Sequence, residues 1–233
     1  MKQNVLKLSF AIFALFGFSY AAYAQDSNER LPRFTYEVGI GTSFLGGVQN
    51  FSPWGVHYRE NFNSGIVFYA QVNYIFQSGR LLGFRVDGFG TAGNYTLTSG
   101  ERVAENIVIN YFAPQWGWVR FISPRVPMTT NVGIGYARYQ SNGLLDDTTY
   151  CIRSSMLGTN VDFSLAYLLN IGYRGDVAIG IRASGFSTFS SSLFSDSRQY
   201  RTIGGERSTV TMDEMNRIIP SRIDFSLFWR IQF

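Results

Sequence analysis

Two groups of residues in this 233-residue chain have types and spacing that could do chemistry: a lone histidine, and eight charged residues on the polar parity of alternating segments. His57 stands beside Tyr58, Arg59 and Glu60. Its imidazole has an ordinary pKa suited to general-base work near neutrality. With a serine or aspartate partner from another loop, such as Ser141, Asp146 or Asp147, it could serve a surface lipid-modifying enzyme. No catalytic motif surrounds any of these residues, and an ordinary loop histidine is the simpler reading. One histidine cannot build a multi-histidine metal site. Cys151, the single cysteine, excludes an intramolecular disulfide and a cysteine-rich metal site. The adjacent pair Asp146-Asp147 lacks a ligand pattern around it. No catalytic residue, no metal and no cofactor is therefore expected.

The second group is Glu37, Arg85, Asp87, Asp162, Arg182, Arg222, Asp224 and Arg230, four acids and four bases that fall on the polar parity of alternating segments. Their charges cancel. With Gln71, Asn73 and Asn131 on the same parity, the expectation is an interior network of paired charges and amides. The sharper alternative is a narrow polar conduit or a proton-linked site. Apart from Lys2 and Lys7, every basic residue is arginine, the side chain suited to bidentate pairing with carboxylates.

The elements that position these residues must be strands, since the apolar residues recur with period two. In Phe34 to Gly41 the even positions are apolar and the odd ones polar or glycine. Ile66, Phe68, Ala70, Val72, Tyr74 and Phe76 share one face of a second strand, and a third runs from about Leu82 to Tyr95. The fourth sets Ile107, Ile109 and Tyr111 on one parity and Trp116 and Trp118 on the other, with Pro114 between them. Proline cannot donate to a ladder, so a bulge at Pro114-Gln115 that shifts the phase is expected. Met128 to Tyr136, Val161 to Tyr167, Val177 to Ile181 and Ile223 to Phe233 supply four more strands. The connectors near 77–80, 122–126 and 170–176 are short. Those near 45–64, 96–104, 140–159 and 190–217 read as mostly long, and in the last of them Gly204-Gly205 could close a hairpin extending strands seven and eight.

Aromatic residues make up 17% and charged residues only 15%, so much of the surface must be apolar. A soluble sandwich or lipocalin-like barrel shares the alternation, but these opposite faces hold too many charges to be packed dry and too many aromatics to be exposed to water. The expected fold is all-β: an eight-stranded antiparallel up-and-down transmembrane barrel with short periplasmic turns and long extracellular loops. Threaded this way, Phe34, Tyr36, Tyr74, Phe76, Trp116, Trp118 and Tyr167 form a periplasmic aromatic girdle, joined by Trp229 and Phe233, while Phe44, Tyr95, Tyr136 and Phe189 could form the opposite one. Arg138, outward near the upper rim, could pair with an anionic lipid phosphate. At the N-terminus, Lys2 and Lys7 precede an apolar stretch from Leu8 to Ala22 and the small-x-small site Ala22-Tyr23-Ala24, which reads as an export signal. The expected organisation is a signal peptide at 1–24, a short periplasmic segment at 25–32 and the barrel at 33–233.

The signal, the alternating strands and the terminal segment Ile223-Asp224-Phe225-Ser226-Leu227-Phe228-Trp229-Arg230-Ile231-Gln232-Phe233 together resemble the small eight-stranded outer-membrane β-barrels of the OmpA and OmpX type. The resemblance implies location in the outer membrane of a Gram-negative bacterium and contact with outer-membrane lipid and lipopolysaccharide. It also implies engagement with periplasmic chaperones and the barrel-assembly machinery, with Phe225, Leu227, Trp229, Ile231 and Phe233 as the assembly signal. It names no ligand and no activity. The expected role is a non-enzymatic anchor presenting surface loops for adhesion, binding or envelope integrity. The alternatives are a lipid-modifying enzyme using His57 and a narrow small-solute channel. A nucleic-acid partner is not expected.

Overall fold

The computed structural model describes residues 34–46, 62, 64–146, 148–169, 176–190, 200–209 and 220–232. His57, Asp147, Phe233, the export signal and the connector at 170–175 lie outside the described residues.

Among the described residues ten strands follow one another: β1 (Phe34–Gly46), β2 (Ser64–Ile75), β3 (Arg80–Thr96), β4 (Arg102–Ser123), β5 (Val126–Leu145), β6 (Thr148–Leu169), β7 (Asp176–Ser190), β8 (Tyr200–Ile203), β9 (Glu206–Thr209) and β10 (Ser221–Gln232). Eight of them close a ring in which each pairs antiparallel with its neighbours: β1 to β7 in sequence, then β10, which returns to β1. Closure satisfies the backbone of every wall strand without leaving an edge, the condition for crossing lipid.

The short turns are local chemistry. Between β2 and β3, Gly79 takes φ 76°, a left-handed conformation open to glycine, and its N–H donates to the Phe76 carbonyl at 2.9 Å. Between β4 and β5, residues Pro124 and Arg125 reverse the chain. A slip in register near Ile122 precedes this reversal.

The expected bulge at Pro114 and the expected long loop at 140–159 both fail, for one reason. The β4 ladder keeps a constant register past Pro114 on both sides, so no bulge forms there. Ile107, Ile109 and Tyr111 point into the barrel, while Phe112 and Trp116 point out. What changes along β4 is the polarity of the two faces, not the phase. Low on the strand the outside is apolar and the inside carries Ala113, Gln115 and Gly117; higher up, the outside carries Asn106 and Asn110 and the inside becomes mainly apolar. Residues 140–159 likewise form strand rather than a long loop: β5 and β6 meet at a tight reversal, where Asp146 accepts a hydrogen bond from the Arg102 N–H at 3.0 Å. The 96–104 connector shrinks to residues 97–101. Gly204 and Gly205 close the β8–β9 hairpin with φ 56° and 89°, but its ladder joins the upper end of β6, Tyr150 to Arg153, rather than prolonging β7 and β10.

Candidate functional site: the barrel interior and its outer wall

The interior begins with strand parity. Glu37, Arg85, Asp87, Asp162, Arg182, Arg222, Asp224 and Arg230 all point inward and all are at most 2% exposed. Five strands bring them together as one unbranched series of alternating charge. Arg230 reaches Glu37 at 2.8 Å, and Glu37 meets Arg182 at 2.6 Å. Arg182 then approaches Asp162 at 3.7 Å, Asp162 meets Arg85 at 3.2 Å, and Arg85 meets Asp87 at 3.1 Å. Asp87 pairs with Arg222, which closes on Asp224 at 3.1 Å. Each interior member thus has an opposite charge on both sides, the arrangement that offsets the desolvation of buried ions.

Neutral groups occupy the remaining lone pairs. Tyr69 donates to Glu37 at 2.7 Å, Asn131 and Asn160 donate to Asp162 at 3.1 and 3.2 Å, and Ser43 and Ser184 donate to Asp224 at 2.5 and 3.2 Å. Gln71 accepts from Arg182 at 2.6 Å. Asn73, the other amide expected here, pairs with Gln71 and Thr35 instead. Aromatic rings fill the gaps between guanidinium planes. Tyr69 lies between Arg85 at 4.7 Å and Arg182 at 4.6 Å, Phe228 lies 5.1 Å from Arg230, and Arg222 lies 4.5 Å from Phe186. Two of these rings sit directly across the ladder from a glycine. Tyr69 faces Gly39 and Phe228 faces Gly180, and a Cβ at either glycine would overlap the ring.

Above this series the lumen turns apolar. Val103, Ile107, Ile109, Tyr111, Tyr139, Tyr150, Ile152, Met156 and Phe186 pack into one cluster with Phe62 and Phe89. Glu105, inward at 3% exposure, sits at this level with Ser141 bonded to it and the Tyr95 hydroxyl donating at 2.8 Å. Sequence reasoning missed Glu105, Tyr69 and Asn160 as interior residues. Their parity relative to Gln115, Gln71 and Asp162 on the same strands was the available signal, and for Glu105 and Tyr69 the assumption that apolar residues face out masked it. Tyr95 itself points inward and so does not belong to an upper girdle.

The outer wall carries the complementary pattern. Phe34, Tyr36, Tyr74, Phe76, Trp116 and Tyr167 are exposed outward at the end of the barrel that bears the short turns, and Trp118 packs 5.5 Å from Trp116. Phe34 and Tyr74 meet edge to face at 5.0 Å, as do Tyr74 and Phe76. Among the other residues of the terminal segment, Phe225, Leu227 and Trp229 are exposed and Ile231 is half-buried on the same face.

Reading outward rows across β4, β5 and β6 locates the limits of the apolar band. Trp118–Thr130–Phe163, Trp116–Val132–Val161 and Phe112–Tyr136–Leu157 are mainly apolar, and the next row up is Asn110–Arg138–Ser155. From Arg120 to Asn110 is ten residues along β4. At ~3.3 Å per residue and a tilt of about 40°, that is roughly 25 Å, the height of the apolar band on a membrane barrel. No helix among the described residues is long and apolar enough to cross a membrane.

A closed ring with charges inside and an apolar belt of about 25 Å outside defines a transmembrane β-barrel of the outer-membrane type. No protein-family model matches the sequence, and no curated protein matches it. Among solved structures, the chain is similar to Neisserial surface protein A at 13% identity and TM-score 0.45, covering 86% of this chain and 97% of that one. It is similar at 12% identity and TM-score 0.48 to a major outer membrane protein of Thermus thermophilus, with 86% and 99% covered. The attachment invasion locus protein of Yersinia pestis aligns at 12% identity and TM-score 0.43, covering 87% and 99%.

Proposed function

We propose that the chain is a non-enzymatic anchor of the bacterial outer membrane, reached after removal of residues 1–24, that holds a β-structured platform above the lipid for adhesion, binding or envelope integrity. The observation that carries this reading is the continuation of the wall beyond the apolar band. A strand needs about 9–11 residues to cross, whereas β4, β5 and β6 have 22, 20 and 22. The surplus is built like a water-soluble sheet, polar outside and apolar inside, and the β8–β9 hairpin widens it. The lumen below is occupied by the paired charge series, which argues for a plug rather than a conduit.

Planar-bilayer recording of purified protein tests the plug, with no sustained stepwise conductance expected; stable conductance steps would replace the anchor with a channel. The enzymatic alternative is tested by mass spectrometry of lipid A and phospholipids from cells expressing the wild type or His57→Ala. Identical acyl patterns are expected. An acyl chain gained or lost in the wild type only would overturn the reading.

A further inference from the structure

We propose that the outer wall at the upper edge of the apolar band is a binding site for the phosphorylated headgroup of a lipid in the outward-facing leaflet, with Arg138 as its cation. Arg138 occupies the first polar row above Phe112–Tyr136–Leu157, the level at which lipid headgroups meet the barrel. It is exposed, points outward and makes no ion pair among the described residues. Among the described residues no carboxylate stands on the outward face of β3, β4, β5 or β6, so nothing on this wall competes with an anion.

The surrounding relief fits a headgroup. Directly beside Asn110 in the ladder is Gly88, and beside Val108 is Gly90. Both glycines face outward, and a Cβ built on Gly90 would meet nothing within 4 Å. The open position at Gly90 leaves a depression on β3, separated from Arg138 of β5 by β4, and the Asn110 carboxamide leans over the neighbouring Gly88, its Oδ1 3.4 Å from where a Cβ would stand. On the opposite flank the Tyr136 hydroxyl and the Ser155 hydroxyl share a hydrogen bond at 2.8 Å, which ties the Tyr136 ring to the ladder partner of Arg138. A phosphate at the edge of the depression would take charge-assisted hydrogen bonds from Arg138, while the acyl chains run down past Phe112 and Tyr136. The site lies on the lipid side of the wall and is independent of the loops and the lumen invoked for the anchor.

The test uses the full mature barrel in detergent, probed by native mass spectrometry with diphosphorylated lipid A, with the same lipid after phosphatase treatment, and with inorganic phosphate. The wild type is expected to retain the diphosphorylated lipid. Arg138→Gln should weaken retention about fivefold, the effect of one arginine at a lipid surface, and Arg138→Lys should restore most of it. Gly90→Leu, which fills the depression without touching the charge, should weaken it as well. Unboiled gel mobility verifies that each variant is folded. Equal retention by wild type and Arg138→Gln, or undiminished binding of the dephosphorylated lipid, would overturn the site. Displacement of the lipid by an equimolar amount of inorganic phosphate would overturn the lipid as its occupant. A conducting lumen would sink the anchor and leave these results untouched.

Discussion

Removing Glu37 should destabilise the barrel severely, yet removing Glu37 together with Arg230 should restore most of the loss. Glu37 is the acid between Arg230 at 2.8 Å and Arg182 at 2.6 Å. In Glu37→Leu, Arg182 still has Asp162 at 3.7 Å and Gln71 at 2.6 Å. Among the described residues Arg230 keeps the hydroxyls of Thr129 at 3.3 Å and Ser164 at 3.5 Å and the Phe228 ring at 5.1 Å, none of which carries charge. An uncompensated buried cation costs about 3–5 kcal/mol. Arg230→Leu should cost less, about 1–3 kcal/mol, because Glu37 retains the opposite charge of Arg182 and the hydrogen bond from Tyr69. The double variant shortens the series by one whole pair and leaves it balanced, starting at Arg182, so its loss should be well below the sum of the two singles. The assay is guanidinium unfolding of protein refolded into vesicles, followed by tryptophan fluorescence and by the shift in unboiled gel mobility. A double-variant loss equal to the sum would refute the pairing argument, since it would mean that the two charges are stabilised by hydration rather than by each other.

Gly39→Ala drives a methyl group into the Tyr69 ring, which must then move away from Arg85 and Arg182; a loss of about 1–3 kcal/mol in the same unfolding assay is expected, and an unchanged midpoint would mean that the ring is free to shift. Ile134→Arg lies within the apolar band and Gln140→Arg above it, so the first should cost about 2–4 kcal/mol and impair membrane folding while the second is tolerated; equal effects would misplace the lipid boundary. Cys151 sits half-exposed on the outward face of β6 above that boundary, and a membrane-impermeant maleimide should label it on intact cells; labelling only after lysis would reverse the orientation.

The membrane-embedded half of the barrel was legible in the sequence because one solvent rule holds there: apolar residues face lipid and polar ones face in. That rule placed Glu37, Arg85, Asp162 and Arg182 on the inner face, and it set the strand through Trp229 in phase. It misread the upper half because the surroundings change from lipid to water while the ladder continues. On β4 the apolar parity switches from Trp116 and Phe112 to Tyr111, Ile109 and Ile107 without any change of register, and a proline between the two sets made a bulge the natural explanation. Residues 140–159 read as loop for the same cause, since their outward face is Gln140, Asn142, Cys151 and Arg153 and no apolar stripe marks it. The order of the ion pairs was illegible because it depends on which side chains meet across the lumen, as Arg222 of β10 meets Asp87 of β3.

The route of the charge series bears on how the ring shuts. Glu37 lies on β1 and Arg230 on β10, neighbours across the junction between the first and last strands, and Arg222 carries the series from β10 over to β3. While that junction is open, Glu37 lacks Arg230 and Asp87 lacks Arg222, and these ions keep their hydration in a lumen that water can still enter. Joining β1 to β10 brings in the missing partners as the water leaves, so dehydration and neutralisation fall in the same step. The junction therefore works as a latch: a gap wide enough to part Glu37 from Arg230 readmits water to the ions on both sides, and a half-shut ring has no dry state in which to persist.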